Sequence, residues 1–208
     1  MIAEEICSLD RWNGLCSRLG LSNDTNTYFE LIEAHAQKHR AYHTLDHIAA
    51  CLKHLDHVKD QVDRADDIEL SLWFHDAIYQ PFSATNEEDS ADWAVNWLSN
   101  HGAQPDLMDR VKVHILATKT HDRPERLDGR YMLDIDLSIL GTSPHVYDQF
   151  EIDIRREYKR VPKFIFRKKR KAILHGFLSR DYIYATEYFR ERFEQQAHIN
   201  LECAIARL

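Results

Sequence analysis

No C-x-x-C pair occurs in this chain; its four cysteines, Cys7, Cys16, Cys51 and Cys203, are scattered and stand mostly at apolar positions. That spacing argues against a disulfide framework or a sulfur-ligated zinc site and reads as reduced thiols of a cytoplasmic protein. Nowhere do about 18 apolar residues follow one another, so no membrane span is expected. The N-terminus also lacks the basic and apolar pattern of a signal peptide. Positive charge is in deficit: 27 Lys and Arg face 34 Asp and Glu, giving a net charge of -7. This balance argues against a specific nucleic-acid partner, although one basic run stands at Arg167-Lys168-Lys169-Arg170-Lys171. A glycine-rich phosphate loop, an aromatic cage and a base-reading pair are missing too, so the sequence does not rank nucleotides, sugar phosphates and lipid-derived phosphates as ligands. No strand-like alternation and no internal repeat is found.

With 208 residues, 44% hydrophobic and 11% aromatic, the chain has the means to fill one sizeable core, and a single domain over 1–208 is expected. The apolar periodicity is helical throughout, which predicts an all-α protein. Ile2, Ile6, Leu9, Trp12, Leu15 and Leu19 form a first helix stopped by Gly20, and Tyr28, Phe29, Leu31, Ile32 and His35 a second reaching His39. A third follows a cap at Thr44. The next carries Leu70 to Tyr79 and is broken at Pro81. Asn86 caps another that runs to Gly102. Further helices follow Pro105, Pro144 and Pro162, and the last spans about Tyr182 to Ile205.

Thirteen histidines are the compositional oddity, and their positions carry the chemistry. His75 and Asp76 sit side by side in the run Leu70, Leu72, Trp73, Phe74, Ala77, Ile78 and Tyr79. A buried imidazole beside a buried carboxylate is unfavourable unless each has a partner or a cation lies between them. A hydrogen-bonded core pair would suffice for that dipeptide taken alone. His43 lies at the mouth of the helix capped by Thr44 and His47 one turn inside, so both imidazoles can project toward one place. Glu87 either compensates the dipole of its helix or orients a ligand or water. Lys119, His121 and Arg123 lie in a polar stretch that could line a cavity and neutralise anionic oxygens. Asp134 and Asp136, two residues apart among apolar neighbours, cannot share one helical face, so one can point into a site while the other contacts backbone.

Taken together, the segments YHTLDHI, WFHDAIY with NEEDSA, LATKTH, LDIDLSILG, IRREY and INLE resemble small bacterial proteins described as predicted phosphohydrolases of the HD-domain superfamily. The resemblance covers roughly residues 40 to 202. It implies an HD-domain-like helical bundle and a metal-dependent hydrolase of a phosphate ester, the substrate being small and phosphorylated. The ligand set it implies is His47, His75, Asp76 and Asp136, holding one divalent ion or two. The segment Tyr42-His43-x-x-x-His47 is also similar to cyclic-nucleotide phosphodiesterases of the same superfamily. That similarity implies His47 as the ligand and His43 as general acid, with metal binding by His43 itself the alternative. Asp76 and Glu87 are the other candidate catalytic groups, and Lys119, His121, Arg123, Arg155 or the basic run near Arg167 could hold the phosphate. Two departures stand in the chain: His198 replaces the arginine, and Lys169 the glycine, that the family pattern leads one to expect.

Two imidazoles and two carboxylates without thiolate suit Mn, Fe, Co, Ni, Mg or Zn. A cation so held lowers the pKa of bound water from 15.7 toward about 7 and polarises a phosphoryl oxygen. An oxygen-activating di-iron protein and a non-catalytic sensor of a nucleotide or phosphometabolite are the alternatives the same pattern leaves open, as it leaves open homo-oligomerisation.

Overall fold

The computed structural model describes residues 2–122 and 124–208. Among them the chain is all-helical and contains no strand, and no helix is long and apolar enough to cross a membrane. Helices α1 (Ile2–Ile6), α2 (Leu9–Arg18), α3 (Thr25–His35), α4 (Leu45–Val58), α5 (Ala65–Phe74), α6 (Asn86–Asn100), α7 (Pro105–Thr120) and α8 (Leu127–Asp136) come first. They are followed by α9 (Pro144–Glu157), α10 (Lys163–Leu178), the single turn α11 (Glu187–Phe189) and α12 (Gln195–Arg207). The chain divides into two compact units, one ending at Met132 and the other running Leu133–Leu208.

The first unit is built around aromatic rings. Trp12 of α2 meets Trp73 of α5 edge-on at 5.6 Å between centroids and Trp97 of α6 at 5.2 Å, and all three rings are buried. Edge and tilted geometries of this kind contribute beyond the area they bury. The indole N–H groups of two of them also find acceptors: Trp12 donates to the Asp24 carbonyl and Trp97 to the Asp24 carboxylate. The same carboxylate accepts from the Asn26 and Thr27 amides as the cap of α3. Glu69, buried on α5, is held by the guanidinium groups of Arg11 and Arg18.

The expected first helix is two helices, because Ser8 stops α1 and its hydroxyl accepts from the Arg11 amide as the cap of α2. Thr85, not Asn86, occupies the cap of α6. The Asn86 side chain instead clips both backbone groups of Gln80.

In the second unit buried polar groups shape the irregular chain. Asp134 accepts from the Ala185 and Thr186 amides and from the Thr186 hydroxyl. Burial nonetheless pushes its carboxyl up to about 6. Glu194 takes the Ile183 and Tyr184 amides, and the last expected helix therefore begins only at Glu187. Between α11 and α12 the chain widens into a π-helical segment, Arg190–Glu194.

His35 is buried on α3 with Nδ1 at 2.9 Å from the Leu31 carbonyl. A carbonyl accepts only from a protonated ring nitrogen, so Nδ1 carries the hydrogen. Burial lowers the imidazole pKa from 6.5 to about 4. The unfolded chain therefore binds the extra proton first as pH falls. The resulting stability is fully present above about 6.5 and is lost down to about 4. Between pH 7 and 4.5 the wild type should lose about 2 kcal/mol more than His35→Leu in urea unfolding. Equal losses in the two proteins would refute this role.

Candidate metal centre

The centre begins with where two helices start and stop. Thr44, in extended conformation, precedes α4, so His47 falls in the first turn, where side chains tilt toward the N-terminus. At the other side α5 ends at Phe74 and His75 is its C-cap, its amide still bonded to the Ser71 carbonyl. The expected helix through Tyr79 is thus cut short, and Asp76 stands in the turn.

His75 Nδ1 lies 2.9 Å from the Leu72 carbonyl. By the same rule Nδ1 carries a hydrogen, which turns Nε2 toward His47 and Asp76. That nitrogen is 3.2 Å from His47 Nε2 and 3.1 Å from Asp76 Oδ2, while His47 Nε2 is 3.6 Å from the same oxygen. Both imidazoles are buried; the Asp76 side chain is 19% exposed. Burial would raise the Asp76 carboxyl, but His75, His43 and His47 outweigh it and hold it well below the usual carboxylate range. An ionised carboxylate oxygen and two imidazole nitrogens thus meet at one point. A cation at that point would satisfy all three, and the nitrogen and oxygen donors fit a divalent metal. Asp136 is the last residue of α8, whereas its neighbour Asp134 contacts backbone.

His43 is half-buried, its ring stacked on Tyr79 at 4.2 Å and lying 6.2 Å from the His47 ring. Behind it sits a residue that sequence reasoning passed over. Arg40, buried, donates to the carbonyls of His43, Asp76 and Ala77 and lies over the Tyr79 ring. One planar guanidinium thereby ties the loop bearing His43 to the turn bearing Asp76.

Glu87 lies partly exposed in the first turn of α6, where its carboxylate complements the helix dipole. Lys119 of α7 pairs with Glu88 and donates to the Ala84 carbonyl, fastening α7 to the start of α6. His121 caps α7 in the left-handed conformation, with φ 53. Arg123 is outside the described residues. Arg155 donates to the Tyr158 and Val161 carbonyls and lies over Phe166, which closes the turn between α9 and α10.

No family model, no curated protein and no solved structure matches the chain.

Proposed function

We propose that the chain is a cytoplasmic, metal-dependent phosphohydrolase that cleaves a small phosphate ester with water. The observation that carries this reading is the convergence of His47 Nε2, His75 Nε2 and Asp76 Oδ2 within 3.6 Å of one another. His47, His75, Asp76 and Asp136 are the proposed ligands of one divalent ion. When bound, such an ion acidifies water and polarises a phosphoryl oxygen.

The protein's own groups do the rest. The Leu72 carbonyl accepts from His75 Nδ1 and so orients the ring with Nε2 toward His47 and Asp76, where the ion would be held. Asp76 brings negative charge that remains ionised through neutral pH. His43, close to His47 and partly open to solvent, donates a proton to the leaving alkoxide. Its ring is held against Tyr79 and its carbonyl by Arg40, so its orientation is set before substrate arrives.

Two measurements on protein purified without chelator test the reading: bound-metal analysis, and phosphate release from a panel of phosphate esters supplied with Mn, Co, Ni or Mg. About one metal per chain with metal-dependent phosphate release is the expected result. Bound iron with an optical signature and no phosphate release would replace hydrolysis by oxygen chemistry. Tight ligand binding without turnover under every metal would make the protein a sensor.

A further inference from the structure

Helix α10 carries Lys163, Arg167, Lys168, Lys169, Arg170 and Lys171 and no acidic residue, in a chain whose net charge is -7. Arg170 is spoken for: it is bonded through two nitrogens to Glu151 and lies over Phe150. The other five cations make no ion pair among the described residues, and Lys163, Arg167, Lys168 and Lys169 are exposed. Lys159 and Arg160, in the turn before the helix, are exposed as well. Cations this close together repel one another, so an unneutralised run on one ordered helix is a standing attraction for a polyanion.

The apolar residues narrow the choice of polyanion. Phe164 is 74% exposed and shares a stripe with Lys168, Lys171 and His175, at helical steps of four, three and four, with Arg167 beside it. The other large exposed apolar side chain of α10, Ile173, is nine residues on and therefore on the opposite side of the helix. Stable anchoring of a basic helix on an anionic membrane draws on a continuous apolar face, and α10 presents none. A second copy would set one cationic helix against another. A bare aromatic ring flanked by cations matches the stacking and phosphate-tracking features of single-strand binding surfaces.

We propose that α10 is a docking surface for single-stranded nucleic acid, with Arg167, Lys168 and Lys171 against phosphates and a base stacked on Phe164. The chain's overall acidity predicts no such partner, because net charge averages over a surface on which this helix is a local reversal.

The test is fluorescence anisotropy of the full chain with labelled fifteen-nucleotide oligo(U) and oligo(dT). About three phosphate contacts predict an affinity that falls about 20-fold between 50 and 200 mM salt. The exposed pair Arg167→Glu with Lys168→Glu should weaken binding at least about tenfold and flatten the salt dependence. Phe164→Ala should weaken binding about tenfold. Circular dichroism verifies that the variants fold, and Lys112→Glu on α7 should leave binding unchanged. No binding at 50 mM salt overturns the proposal, as does equal binding by the folded variants. Binding of phosphatidylglycerol vesicles or polyglutamate in place of the oligonucleotides overturns it in favour of a lipid surface or an acidic protein.

Discussion

Asp76→Ala should leave the protein folded, reduce its bound metal from about one per chain to under about a tenth, and cut phosphate release by about a thousandfold or more, equivalent to about 4 kcal/mol of barrier. The expectation follows from charge. In the first unit His47 and His75 contribute imidazole nitrogens to the centre, and Asp76 contributes a carboxylate. Its carboxylate is held ionised by the three imidazoles around it. Removing it takes away one of the two carboxylates of the proposed set, beside two imidazole nitrogens 3.2 Å apart, and a hard divalent ion is then poorly held. Asp76→Asn, which keeps shape and removes charge, should behave alike. His43→Gln gives the contrasting result: metal retained, turnover reduced by about a hundredfold, and the alkaline limb of the pH profile altered, as loss of a general acid requires. Metal content measured beside turnover separates the two roles. Wild-type metal and turnover in Asp76→Ala would remove the basis of the proposed function.

How much of this could be read from the chain depends on the range of the forces involved. The His75-Asp76 pair was legible because a charged group inside an apolar run has few explanations. The helical class was legible because the apolar period repeats over ten or more residues at a time. The end of α5 was not, since Ala77, Ile78 and Tyr79 continue the apolar run; the chain turns there through distant partners. The Ile78 amide donates to Ser90, and Arg40 takes the carbonyls of Asp76 and Ala77. Arg40 escaped notice for a related reason: its partners are backbone carbonyls, which every residue offers, so no partner residue type marks it. The second helix stops at His35 rather than His39, and His39 spends its ring on the Tyr79 carbonyl instead. In the second unit the interruption before α11 is written in Asp134 and Glu194, about 50 and 10 residues from the amides they bind. A local window cannot see such bonds.

Gly141→Ala should lower stability by about 3 kcal/mol, at the upper end of ordinary overpacking, and the melting temperature by about 6 to 12 °C. Gly141 closes the 3-10 segment Leu137–Gly141, and a Cβ there would lie 2.5 Å from Phe193 Cβ, 2.6 Å from the Phe193 carbonyl oxygen and 2.9 Å from its Cα. The obstacle is backbone, so no side-chain rotation relieves it. Neither partner is free to retreat. Asn200 Nδ2 donates at 2.8 Å to the carbonyls of both Leu140 and Thr142, one on each side of the glycine. Across from it, Phe193 belongs to the π-helical segment whose next residue, Glu194, holds the Ile183 and Tyr184 amides. Relief of the clash would therefore break a buried amide's bonds or a carboxylate's, each worth about 1 kcal/mol or more. Gly176, inside α10 with no atom within 4 Å of the place an added methyl would occupy, provides the control: Gly176→Ala should raise stability by about 0.5 to 1 kcal/mol through helix propensity. Thermal unfolding followed by circular dichroism reads both. A Gly141→Ala protein melting within about 2 °C of wild type would mean that the two backbones do not approach as closely as this packing requires.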